Sequence, residues 1–379
     1  MKTKEVWNPH TYMDTSPILA AVGLFPVQPQ SNSQQDLSQD YRPASVSSRL
    51  LSFIQRLGTH FAMKDLGDPH FFLGIEAKRT STALVLTQTK YTSDLLTRTH
   101  MQDSKTCPTP LASGSKLSAY DGAPLSDATE YRSIVGALQY FTITRPDICY
   151  AINQVCQFMH ALTTVHLQAV KRILRYLKGS LGLGLTITPG PLTTFFAFSD
   201  ADWAGCPASR RSTIGFCVFL GKNLLTWVSK KQPTLSRSSA EAEYKTLALT
   251  TSELLWLSYL LRDLAVPFRY QFILHCDNAS ATHLAANPVF HACSKHIEVD
   301  YHFVRDLVVA GKLLIRLVRS NNQVADIFTK GLPEPAFHHF RGKLLSPACL
   351  SLERLIGYTN DCLLLNEKHT ILVFCMGVI

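Results

Sequence analysis

FSDADWAGCPASRRSTIGF, residues 198–216, sets two carboxylates, Asp200 and Asp202, at the end of a β-like run; small residues and a basic pair, Arg210 and Arg211, follow. Acids so placed serve one of two ends. Either they hold a metal ion over something anionic, or they form a polar turn between two strands. The flanking sequence predicts the sheet that carries them. TTFFAFSD, STIGFCVFLG and LLTWVSKK read as three strands, and Gly221, Lys222 and Asn223 join the last two as a tight hairpin. A long helix over 239–262 follows, then a strand in QFILHCD, helices in NASATHLAAN and HIEVDYHFVRDLVVAG, and a strand in KLLIRLVRS. Three antiparallel strands, then helix, strand, two helices and a strand, predict an α/β fold: a mixed sheet covered by helices.

Upstream the pattern differs. Residues 1–45 are rich in Ser, Gln and Pro and read as a disordered leader. SSRLLSFIQRLGTHF reads as an amphipathic helix, HFFLGIEAKR and ALVLTQTKY as strands, and CPTPLASGSKLSAYDGAPL as a loop. Helical periodicity runs through EYRSIVGALQYF, stops near Arg145-Pro146, resumes over 147–159, and returns in HLQAVKRILRYLKGS, which ends at Gly179. That last helix carries Lys171, Arg175 and Lys178 at i, i+4 and i+7, with Arg172 alongside. The stripe reads equally as a track for phosphates or as a solvated face. The expected organisation is a leader over 1–45, a segment over 46–185, the mixed-sheet domain over 190–345 and a tail over 346–379.

Composition narrows the classes. The 379 residues are 46% hydrophobic and 17% charged, enough to bury a sizeable core, and the net charge of +9 suits an anionic partner. Residues 46–185 carry fifteen Lys and Arg against nine Asp and Glu, so the excess lies in the body of the chain. Ten cysteines without a CxxC pair speak for reduced thiols in an intracellular protein, cytoplasmic or nuclear, and not for a disulfide frame. The C-terminal ILVFCMGVI is far shorter than the roughly 20 residues that span a bilayer.

Four acids of the second half sit at strand ends or helix starts: Asp200, Glu243, Asp277 and Asp326. Hard divalent cations take oxygen ligands, and two of them clamping a phosphodiester need several carboxylates converging from separate elements. Of the two glutamates in SSAEAEY, Glu241 stands three residues after Ser238 in a capping-box arrangement and is expected to face solvent. Glu243 shares a helix face with Leu247, Thr250 and Leu254, the side expected to lie on the sheet.

SDADWAG, RRSTIGF, WVSKKQPTLSRSSAEAEY, HCDNASA, NPVFH, KHIEVDYHFVRD and ADIFTKGLP resemble the ribonuclease H domain of copia-type retrotransposon polyproteins. DLGDPHFFLGIE, YRSIVGALQYFTITRPDICYAINQV and VKRILRYLKGS are similar to the end of that family's reverse transcriptase. The resemblance runs from about Val46 to Leu350. It implies a three-layer α/β/α domain around a five-stranded mixed sheet, preceded by a palm or thumb remnant. It also implies hydrolysis of the RNA strand of RNA–DNA hybrids. Asp200, Glu243, Asp277 and Asp326 would hold two magnesium ions, with manganese as a substitute, and Arg210, Arg211, Lys230 and Lys231 are candidates for gripping phosphates.

Two departures from the family pattern matter. The Tyr-x-Asp-Asp motif of the family's polymerase is missing, and the chain has no adjacent pair of aspartates, so its polymerase metals lack a seat here. Many cellular ribonucleases H also carry a histidine just before the last aspartate, and RSNNQVAD has none. Together these imply a truncated, element-derived chain without polymerase activity of its own, the missing portion supplied by another chain. A non-catalytic nucleic-acid-binding remnant is the alternative. An integrase-like reading expects the order Asp, Asp, Glu, which Asp-Glu-Asp-Asp opposes. Three other features invite rival readings: HACSKHIEVDYH as a zinc site, Cys276 as a nucleophile, and Trp203 as either a stacking platform or a buried packing residue.

Overall fold

The computed structural model describes residues 71–345 apart from 126, 191–193, 264–265, 267, 270 and 287–297, with Gln55 and Thr59 alone before them. The leader over 1–45, nearly all of the helix over 47–61, NPVFH and the tail over 346–379 therefore lie outside the described residues. Met1–Leu66 and Gly67–Ile379 form two units, and every element below belongs to the second.

HFFLGIEAKR is a hairpin and not one strand: β1 (Phe71–Phe72) turns through Leu73 and Gly74, both at positive φ, into β2 (Ile75–Arg79). ALVLTQTKY likewise divides. Its first half is β3 (Leu84–Thr87), and its second half opens the helix α1 (Thr89–Arg98) because the Glu76 carboxylate on β2 accepts the Lys90 N–H at 2.7 Å. That contact supplies an orphan helix-start donor with the acceptor it needs.

Helices α2 (Thr129–Phe141), α3 (Cys149–Cys156) and α4 (Thr164–Gly179) follow, with a short 3-10 turn at Pro146–Ile148 marking the break read from Arg145-Pro146. Thr163 and His166 close a capping box at the start of α4. β4 (Leu185–Ile187) returns to pair antiparallel with β3.

The second sheet holds β5 (Phe195–Asp202), β6 (Thr213–Leu220), β7 (Asn223–Lys231), β8 (Phe272–Cys276) and β9 (Leu313–Leu317) in the order β7-β6-β5-β8-β9. β5, β6 and β7 are antiparallel neighbours, and β8 and β9 join parallel to β5. Helices α5 (Ser239–Asp263), α6 (Ala279–Ala286) and α7 (Glu298–Val309) link these strands, and α8 (Glu334–Leu345) closes the described chain. The order and directions are those of a ribonuclease H-like mixed sheet.

Side-chain alternation divides the sheet between two cores. Phe195, Ala197, Phe216, Val218 and Leu274 pack with Leu247, Leu254 and Tyr301 of α5 and α7. Phe196, Phe198, Cys217, Phe219 and Ile273 belong to a core that also takes in Val170 and Leu177 of α4 and Phe337 and Leu344 of α8. Helices from before and after the sheet in sequence thus cover its second face. At their junction Asp147 is buried against Arg145, 2.8 Å away, and accepts the Tyr176 hydroxyl. The Arg341 guanidinium on α8 donates to that same hydroxyl at 3.2 Å. Among the described residues no helix is long and apolar enough to cross a membrane.

Candidate active site

Asp200 lies near the end of β5, Asp277 directly after β8, and Asp326 in a 3-10 turn, Val324–Phe328, beyond β9. One carboxylate oxygen from each comes within 4.8 Å of the others. Glu243, from the first turns of α5, joins through a second group with Cys276 and Asp277, and its Oε1 accepts the Ala201 N–H at 3.2 Å. Four acids from four separate elements thus meet at one end of the sheet.

Glycine makes part of this possible. Gly215 on β6 is the cross-strand partner of Asp200. A Cβ there would stand 2.7 Å from both Phe328 Cβ and Thr329 Cγ2, so only a bare Cα lets the turn carrying Asp326 lie against β6.

The electrostatics follow from crowding acids in a dry place. Burial, with Asp200 and Asp277 adding repulsion, pushes the Glu243 carboxyl up to about 9. Burial and Asp200 bring Asp326 up to about 7, and burial raises Asp200 as well. These oxygens are the ligand type hard cations take, and a divalent ion among them would favour their charged forms. Residues not foreseen from the sequence complete the cluster. Thr329 Oγ1 donates to Asp200, Ser320 Oγ donates to Asp277 at 3.2 Å, and the Lys330 ammonium sits 3.0 Å from Asp326 and 3.6 Å from Asp200. The one signal for Lys330 is its place four residues after Asp326, the spacing of a helical ion pair.

The opening pair of acids turns out to have divided roles. Asp202 is in neither metal-capable group: a Cβ on Gly205 would fall 1.6 Å from its Oδ2, and it pairs with Lys116 at 3.8 Å. Glu241 is buried, not solvent-facing: it accepts the Arg237 N–H at 2.8 Å and pairs with Lys245 at 2.8 Å, while Ser238 Oγ accepts the Glu241 N–H in capping fashion. Leu247, Thr250 and Leu254, on the Glu243 face, are all fully buried.

Among the rival readings, Trp203 is 46% exposed and not buried, its Nε1 donating to the Ser236 carbonyl at 3.0 Å. The buried Cys276 thiol lies 3.8 Å from Glu243, and burial together with that carboxylate drives it well above the usual thiol range, which opposes a nucleophilic role. Burial pushes His275 down to about 4, and it stacks on Phe198 as a neutral core residue. The beginning of HACSKHIEVDYH lies outside the described residues.

The basic candidates fall into two sets. Arg210, Arg211 and Lys230 are exposed, and Lys231 donates to Cys206 Sγ at 3.0 Å. On α4, Lys171 is exposed, Arg175 is half-buried, and Lys178 donates to the Ser104 carbonyl at 2.8 Å. Arg172, beside them, donates to Thr109 at 2.8 Å, so half of this stripe holds the loop before α2.

No family model matches the chain. Over 291 residues it is 48% identical to the retrovirus-related Pol polyprotein from transposon RE1 of Arabidopsis thaliana, a match covering 77% of this chain and 20% of that one. The chain therefore spans a fifth of the polyprotein's length. It is also 50% identical over 215 residues to an uncharacterized mitochondrial protein of the same plant, covering 56% of this chain and 89% of that protein. Among solved structures, LC11-RNase H1, isolated from compost, is 16% identical with a TM-score of 0.29, covering 36% of this chain and 93% of that one.

Proposed function

The chain belongs to the copia-type retrotransposon Pol polyproteins, and from that premise we propose that it is a ribonuclease H acting on the RNA strand of RNA–DNA hybrids. One observation carries this reading: Asp200, Asp277 and Asp326, from three different elements, bring carboxylate oxygens within 4.8 Å of one another, with Glu243 alongside. These four acids would hold two magnesium ions, or manganese in their place. Bound there, such ions supply an activated water and neutralise charge at the leaving oxygen of a phosphodiester.

The chain's own residues do the positioning. Strands β5 and β8 fix Asp200 and Asp277, while Ser320 and Thr329 orient two of the carboxylates through hydrogen bonds. The exposed Arg210, Arg211, Lys230 and Lys171 would meet backbone phosphates, with contacts to 2′-hydroxyls across a shallow minor groove selecting RNA. Residues 46–185 are read as the end of a reverse transcriptase, and without paired aspartates the chain is expected to show no polymerase activity of its own.

A gel assay of the purified chain on a labelled RNA–DNA hybrid, with and without magnesium, tests the proposal. Cleavage is expected only with magnesium and is lost in Asp200→Asn and Asp277→Asn. A folded mutant that cuts at the wild-type rate would reassign the site. Hybrid bound but never cut, at any magnesium concentration, would favour the non-catalytic alternative, and primer extension above background would overturn the polymerase statement.

A further inference from the structure

The Lys330 ammonium stands between two of the acids, 3.0 Å from Asp326 Oδ1 and 3.6 Å from Asp200 Oδ2. Its surroundings are asymmetric. The Lys330 side chain is 44% exposed, whereas those of Asp200 and Asp326 are 5% and 10% exposed. The backbone beneath it is pinned. The Lys330 N–H donates to the Asp326 carbonyl at 3.1 Å, and the Gly331 carbonyl accepts the Gly114 N–H at 3.2 Å. A Cβ on Gly331 would lie 2.7 Å from the Ala112 carbonyl oxygen, so this segment has no room to shift. What remains free is the four-carbon arm, a flexible tether for a compact point charge.

An ammonium and a divalent cation seek the same anionic oxygens and repel each other at these distances. We infer that Lys330 is a resident counter-cation: it steadies Asp200 and Asp326 while no metal is bound, competes with divalent ions for their oxygens, and swings into solvent when one arrives. This inference rests on the metal-binding reading of the site. Lys330 is thereby a positioning residue, acting through the two carboxylates it touches. A lysine placed only for structure would stabilise the fold equally with and without metal and leave metal affinity alone.

Isothermal titration of magnesium into the full chain separates these roles, comparing wild type with Lys330→Met, and with Lys330→Gln should the first variant fold poorly. Competition predicts about three- to tenfold tighter magnesium binding in the variant, the scale of losing a partly exposed ion pair to two acids. It also predicts a lower Tm without metal and a gap that closes at saturating magnesium. Equal affinity in the two proteins, or weaker binding by the variant, overturns the inference while leaving the metal site standing. Absence of saturable binding in both proteins overturns the inference and the metal-site reading together.

Discussion

Gly215 stands directly across the β5–β6 ladder from Asp200, and its bare Cα is what the turn carrying Asp326 and Thr329 rests on. The sheet and the turn meet there with no space to spare. Any side chain would push the fourth acid away from the first.

Gly215→Ala is accordingly expected to cost about 1–3 kcal/mol, the usual scale of overpacking a core. Hybrid cleavage should fall further than the stability loss explains, because the displaced group is a candidate ligand. Denaturant unfolding and the cleavage assay together check this; unchanged cleavage in the variant would show that the turn tolerates the shift.

Glu243 and Glu241 separate chemistry from capping. A carboxyl raised from its ordinary 4.5 to about 9 keeps its proton in the folded state after the unfolded chain has lost it. In metal-free protein, stability therefore falls as pH rises between those values. Glu243→Gln, always neutral, should abolish cleavage and gain more stability over wild type at pH 8 than at pH 5. Glu241→Gln should keep most activity and lose about 1–3 kcal/mol, because the charge removed is buried and paired to Lys245. Unfolding curves at both pH values decide, and a dead Glu241→Gln beside an active Glu243→Gln would exchange the two roles.

Asp147, outside the acid cluster, sits wholly inside the protein. Burial opposes its charge, but the Arg145 guanidinium and the Tyr176 hydroxyl outweigh that and hold its pKa below the ordinary 3.8. A depressed acid stabilises the fold above its unfolded pKa, and that contribution disappears as pH falls through the folded value. Asp147→Asn leaves Arg145 buried without its counter-charge and should cost about 3–5 kcal/mol at neutral pH. The difference from wild type should shrink as the pH is taken below 3.8, as followed by acid titration of both proteins.

Lys171 and Lys178 share one helix but should answer differently. Lys171 is exposed and free to meet a phosphate, so Lys171→Ala should weaken hybrid binding at all sequences and lower the salt slope by about one. Lys178 holds the Ser104 carbonyl, so Lys178→Ala should lower Tm and change the salt slope little. Equal salt slopes for the two variants would contradict this division.

The second sheet was legible because TTFFAFSD and STIGFCVFLG carry their own periodicity, and because strand-end acids stand out against apolar runs. The first sheet was not. The β1–β2 turn places Leu73 at positive φ, where sequence patterns anticipate Asn or Gly, and α1 begins where it does because Glu76, fourteen residues before Lys90, caps it. Neither cause is local. The same holds for the site: four acids announced themselves by position, whereas Thr329 and Lys330 matter only because β5 brings Asp200 beside them. Glu241 looked solvent-facing on its helix, yet the chain before α5 folds over it. α8 escaped notice because its apolar face is defined by Tyr176 and the 3-10 turns it covers, more than a hundred residues away for Tyr176.

The core shared by α4, α8 and one face of the second sheet has a consequence for inheritance. Phe196, Phe198 and Phe219 are sheltered by helices that precede them in the chain, and Tyr176 is locked between Arg145 and Arg341. A cut or crossover between Ile187 and Phe195 would hand on an uncovered sheet in one product and an unfinished helical layer in the other. The second sheet is therefore no detachable cassette: parted from the helices before it, one of its faces would lie uncovered.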